Sequence, residues 1–175
     1  LPIQGVDPLY HLPLIAAEET FRFLWDGAPG RCLVASGRCQ SLDLSGPRRF
    51  ELAQRFSDVS LGRLVDVTPE APSHGLPRIL LSFSFFEQTS ERKRIEGLPP
   101  AVQAVLPRWQ LTRQGSQCCL RLTSVATHEA EARELAEKLW LMSERVIKTS
   151  VQQERISINI ASGLSFPQQW QDCYR

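Results

Sequence analysis

The sequence predicts an α+β fold in which layers of largely antiparallel strands are flanked by helices. Three observations carry this reading. Two strand–turn–strand patterns recur, over residues 21–36 and 106–123. Between them lies RILLSFSFFEQTS, Arg78 to Ser90, where alternation puts Leu81, Phe83 and Phe85 on one side and Leu80, Ser82, Ser84 and Phe86 on the other. With one side apolar and the other lined by small serines, this run reads as a central strand covered on both faces. A single amphipathic helix follows from Thr127.

At 175 residues and 42% hydrophobic, the chain can bury one continuous core, which excludes disorder and small stapled scaffolds. A net charge of +1 supplies no field for nucleic acid or anionic membrane, so neither is expected as a partner. The basic run Glu91-Arg92-Lys93-Arg94 reads as a solvated loop.

Element by element, Leu1 to Leu14 holds three prolines and no period, and reads as an irregular arm. Phe21, Phe23 and Trp25 alternate with Arg22 and Leu24. The residues Asp26 to Gly30 then supply a turn, and Arg31 to Ser36 returns as a second strand. From Ser45 to Ser57 the pattern is that of a short helix with Pro47 in its first turn. Thr68 to Pro77 is rich in helix and strand breakers and reads as a loop.

After Leu98-Pro99-Pro100, Leu106–Arg113 and Cys118–Thr123 pair through Gln114-Gly115, which would set Trp109 opposite Leu120 and Leu111 opposite Cys118. In the helix after Thr127, Glu129 and Glu131 suit the positive end of the dipole. Ala132, Leu135, Leu139, Met142 and Val146 make one stripe of a core face, with Glu134–Lys138 and Glu144–Lys148 as exposed pairs. Val151 to Ala161 reads as a short strand or an extended connector, and Ser165 to Trp170 as the start of another helix.

A search for chemistry finds no constellation. His11, His74 and His128 fall in an arm, a loop and a helix start, without metal-ligand spacing. Cys32, Cys39, Cys118, Cys119 and Cys173 form no CxxC pair and suggest reduced thiols. Cys118 and Cys119 would point to opposite faces of a strand, with one of the two buried and inert. Glu87 ends a strand and reads as a solvated carboxylate. Phosphate-cradling glycine loops and the GxSxG elbow are absent. No catalytic, cofactor-binding or metal residue is assigned. No apolar run reaches the ~20 residues of a membrane span, and no secretory signal is legible, so a cytoplasmic location is expected.

The order of several segments is more informative than any one of them. FRFLW, the ASG turn at Ala35 to Gly37, Arg49-Phe50, PRILLSFSFF, GLPPAVQAVLPRWQLTRQG and FPQQWQDCY together resemble the amino-terminal half of isochorismate synthases. These are chorismate-utilising enzymes, and the likeness is to members serving menaquinone or phylloquinone biosynthesis. It runs from about Phe21 to Arg175.

The resemblance implies two β-sheets packed face to face, with Leu80 to Phe86 between the layers. It also implies hydration of chorismate with loss of its ring hydroxyl, using a lysine base, a glutamate acid and Mg²⁺. Those groups would lie in a carboxyl-terminal catalytic half of the same chain, so residues 1–175 are expected to be structural and inactive alone. Anthranilate, aminodeoxychorismate and salicylate synthases are the sister readings, and a standalone β-rich binding module is the reading from another class. The first two commonly carry an LLES-type segment, which this sequence lacks.

Overall fold

The computed structural model describes the backbone of residues 1–28, 30–67, 72–84 and 100–163, with side chains through residue 152. It shows an α+β fold: one antiparallel sheet of six strands and three α-helices among the described residues. The strands are β1 (Pro2–Gln4), β2 (Arg22–Ala28), β3 (Arg31–Leu44), β4 (Leu80–Phe83), β5 (Val102–Gln114) and β6 (Gln117–Leu122). The helices are α1 (Pro8–Ile15), α2 (Arg49–Gly62) and α3 (Glu129–Gly163).

Two long strands, β3 and β5, form the spine, and the order across the sheet is β1-β6-β5-β3-β2. Short β4 pairs with Val102–Val105 at the far end of β5. The β2–β3 hairpin forms where the sequence predicts it, with Phe23 opposite Ala35 and Trp25 opposite Leu33. Ala35 to Gly37 is not a turn, because β3 runs straight through it. Gly37 takes φ +66°, a region open to glycine at little cost. The register of β3 against β5 shifts just beyond it, between Arg38 and Gln40, so the chain bends without ending the strand.

The β5–β6 hairpin turns one residue later than expected. Gly115 adopts φ +61° and Gln114 pairs with Gln117, so Trp109 lies opposite Leu122 and Leu111 opposite Leu120. The shift preserves every face, since each partner moves by two residues.

One face of the sheet carries the core. Cys32, Val34, Trp109, Leu111, Cys118 and Leu120 are buried there with Ile3, Val6, Ile15 and Val146, and Leu12, Leu139 and Met142 pack against them. The first fourteen residues are therefore no irregular arm. Asp7 caps α1 by accepting from the Leu9 amide at 3.2 Å, and Pro8 occupies the first turn, where its missing N–H costs nothing. Pro13 sits inside this helix. Burial of Ile15 and His11 outweighs the bond it removes.

Further differences from the sequence reading have physical causes. α2 starts at Arg49 and runs to Gly62, so Pro47 precedes it and the helix extends past Ser57; Ala53 and Ser60 are its buried residues. β4 is a short strand with Leu81 and Phe83 more than half exposed, and not a strand covered on both faces. Its partner β5 already has β3 on the other edge. Phe85, Phe86 and the terminal segment Ser165 to Trp170 lie outside the described residues.

α3 continues through Val151–Ala161, so that segment is neither strand nor connector. At its start the Glu131 carboxylate accepts from the Thr127 N–H at 2.6 Å and hydroxyl at 2.9 Å, while His128 Nδ1 accepts from the Glu131 N–H at 3.3 Å. These bonds hold the Glu131 carboxyl below its usual range and satisfy free N–H groups of the first turn. The expected pairs at Glu134 and Glu144 are not formed; the first-turn ion pair is Arg133–Glu129, at 2.7 Å.

Candidate functional site

The opposite face of the sheet is covered near β5 and β6 by residues 72–78, which include a 3-10 turn at Ser73–Gly75. The Arg121 guanidinium fastens this segment, donating from Nε to the Gly75 carbonyl at 2.7 Å and pairing with Asp66 at 2.7 Å. The Gln110 side-chain amide adds a bond to the Leu76 carbonyl at 2.9 Å. Gly75 lies so close to β6 that a methyl there would strike Cys119. These contacts suspend His74 and Arg78 over the sheet.

A cleft of about 340 Å³ opens beside this segment, lined by Ser73, His74 and Arg78 from it and by Trp25, Arg31, Leu33, Thr112 and Gln114 from β2, β3 and β5, with Cys32 and Arg113 contributing. The ladder explains who faces it. Trp25 is paired with Leu33, Leu33 with Thr112, and Arg31 with Gln114, and cross-strand partners share a face. Cys32 and Arg113, also partners, belong to the other face. There Arg113 lies 3.2 Å from the Asp7 carboxylate, so its charge is compensated away from the cleft. Arg31 and Arg78 have no ion-pair partner among the described residues. Among the described residues no carboxylate lines the cleft, and His74 is buried with its Nε2 lacking a hydrogen-bond partner.

The three histidines do not converge. His11 is buried between α1 and α3. The Ser150 hydroxyl, which donates its proton to the Val146 carbonyl at 3.0 Å, accepts from His11 Nε2 at 2.8 Å. Its Nδ1 has no partner, and burial lowers the pKa of the ring, opposed by the Asp7 charge. His128 pairs with Glu131 at the start of α3.

Cys118 and Cys119 do point to opposite faces, but both are buried. The Cys118 thiol donates to the Val6 carbonyl at 3.0 Å, and burial raises its pKa together with those of Cys32 and Cys39. These are packing groups and not nucleophiles. Cys32, Cys39, Cys118 and Cys119 are unbridged. Cys173, Glu87 and the run 91–94 lie outside the described residues.

Among the described residues no three His, Cys, Asp or Glu side chains come together in a way that could hold a metal ion, so they do not fit Mg²⁺. No described helix is long and apolar enough to cross a membrane. Among the described residues the cleft is lined by Arg31, Arg78 and the buried His74, and by no carboxylate or lysine.

A family model described as chorismate binding enzyme matches residues 1–173. No curated protein and no solved structure matches the chain.

Proposed function

Because the chain belongs to the chorismate-binding enzyme family, we propose that it is the amino-terminal, structural part of an isochorismate synthase, which converts chorismate to isochorismate in menaquinone or phylloquinone biosynthesis. The observation that carries this reading is the ordered series FRFLW, PRILLSFSFF and LPRWQLTR, within a family match that spans nearly the whole sequence. The Mg²⁺ and the lysine and glutamate of the hydration are assigned to a carboxyl-terminal half of the same, cytoplasmic chain, with which this domain would pack.

One feature supports a supporting role. Leu81 and Phe83 on β4 and Phe50 on α2 are at least half exposed, and the rings of Phe50 and Phe83 meet edge-on at 5.9 Å. That apolar corner is a surface another part of the enzyme could cover.

A coupled assay of chorismate turnover with Mg²⁺, run on residues 1–175 and on the parent gene product, tests the reading. Isochorismate formed only by the longer chain is the expected result. Turnover by residues 1–175 alone would overturn the structural role. Salicylate or anthranilate as the product of the longer chain would move the assignment to a sister enzyme.

A further inference from the structure

We propose that the chain pairs with a second copy of itself through the free edge of β2, joining the two sheets in antiparallel register about Leu24. The proposal rests on the backbone and side chains of β2 and is independent of the reaction assigned to the parent enzyme.

The backbone comes first. β2 ends the sheet, with β3 on one side and no described strand on the other. The Gly37 N–H donates to the Phe21 carbonyl at 3.0 Å, continuing the register that sets Arg22 opposite Ser36, so Phe21 turns its polar groups toward β3. In an antiparallel ladder those directions alternate. Phe23 and Trp25 therefore also bond inward, while Arg22 and Leu24 present their N–H and C=O groups at the open edge. Such a row is a template for another strand.

Side chains select the occupant. Charges commonly protect sheet edges from pairing, and β2 carries Arg22 and Asp26, both exposed. Neither has an ion-pair partner among the described residues; Arg22 donates to the Ala16 carbonyl at a long 3.4 Å. Their signs are opposite and they lie equally far from Leu24. Two antiparallel copies of Arg22-Phe23-Leu24-Trp25-Asp26 thus set Arg22 against Asp26 of the other copy at both ends, Phe23 against Trp25, and Leu24 against itself. Parallel pairing in register would instead put like charges side by side.

Each match falls on a suitable position. Leu24 with Leu24 is a hydrogen-bonded pair, and Phe23 with Trp25 a non-hydrogen-bonded one, where side chains approach more closely and aromatic pairs stabilise the ladder. Leu24 and Trp25 are 48% and 47% exposed in the single chain. Leu24 is also paired with Val34 of the core, so the junction would continue the core face from one sheet to the next. The irregularity in β2 begins after Trp25, which confines the pairing to residues 22–26.

Sedimentation equilibrium of the Phe83→Lys chain tests the proposal, because a charge in the apolar corner at β4 excludes association there. A dimer is expected. Arg22→Glu or Asp26→Arg, added singly to that chain, brings like charges together at both ends and should weaken the dimer by about tenfold or more. The urea midpoint should change little, because both side chains are exposed. An equimolar mixture of the two single reversals should dimerise as tightly as the Phe83→Lys chain, since each end then pairs an acid with an arginine. A folding defect would give no such recovery. A monomeric Phe83→Lys chain, a dimer indifferent to either reversal, or no recovery in the mixture would each overturn the proposal.

Discussion

Replacing Gly75 by alanine tests how the cleft is built. The added methyl would lie 2.9 Å from Cys119 Cβ and nearer still to Sγ, where ordinary carbon contacts are about 3.5–4.0 Å. Relief requires residues 72–78 to withdraw by roughly 1 Å from that spacing. That movement stretches the Arg121–Gly75 bond from 2.7 Å and the Gln110–Leu76 bond from 2.9 Å past hydrogen-bonding range. The chain must either keep the overlap, at about 1–3 kcal/mol, or give up a bond from a charged donor, at about 1.5–3 kcal/mol. These are alternatives and do not add, so the expected loss is about 1–3 kcal/mol.

In urea, with a slope of about 1–3 kcal/mol per molar, the midpoint followed by tryptophan fluorescence should fall by roughly 1 M. In a Cys119→Ala background the Sγ overlap is gone while the Cβ contact at 2.9 Å remains, so the same substitution should cost less but not nothing. A Gly75→Ala midpoint indistinguishable from the parent would refute the reasoning. So would an equal penalty in the two backgrounds, because Sγ, the nearer of the two Cys119 atoms, would then carry none of the cost.

Leu111→Ala, at a site with no exposure, should cost about 2–5 kcal/mol by urea unfolding; a loss under about 1 kcal/mol would mean that α1 and α3 do not close on β5 as described. Burial lowers the His11 pKa against the opposing pull of Asp7, so the unfolded chain takes up the proton first. Stability is then whole above the unfolded value of about 6.5 and is lost as the pH falls toward the folded value. His11→Gln should flatten that acid limb, and an unchanged slope would assign it to other groups. Residues 1–175 should self-associate through the exposed corner of Phe50, Leu81 and Phe83, and Phe83→Lys should reduce that association measured by sedimentation, with the urea midpoint little changed, because Phe83 is mostly exposed; equal association by the variant would show that the β4 corner is not the sticky surface.

Local patterning determined much of this protein. The α+β class, both hairpins, the faces of residues 108–111 on β5 and 118–121 on β6, and the part of the helical stripe at Leu139, Met142 and Val146 follow from period and turn chemistry, because neighbours in sequence set them; Ala132, read as part of that stripe, is exposed. The ordered motifs also carried the family. The rest needed tertiary contacts. Residues 1–14 look irregular because Pro13 breaks local propensity, yet Asp7 and Pro8 are legible start signals, and the helix forms because His11 and Ile15 are buried.

β4 reads as a buried strand from its phenylalanines, but exposure is decided by what lies beside it, which alternation does not encode. Arg78 and His74 reach Trp25 and Arg31 only because Arg121, far along the chain, fastens residues 72–78 across the sheet. The register of β2 on β3 places Trp25 and Arg31 on one face. No spacing rule could add the other two, since a cleft closed by a long-range clamp is a property of the folded surface and leaves no period in the sequence.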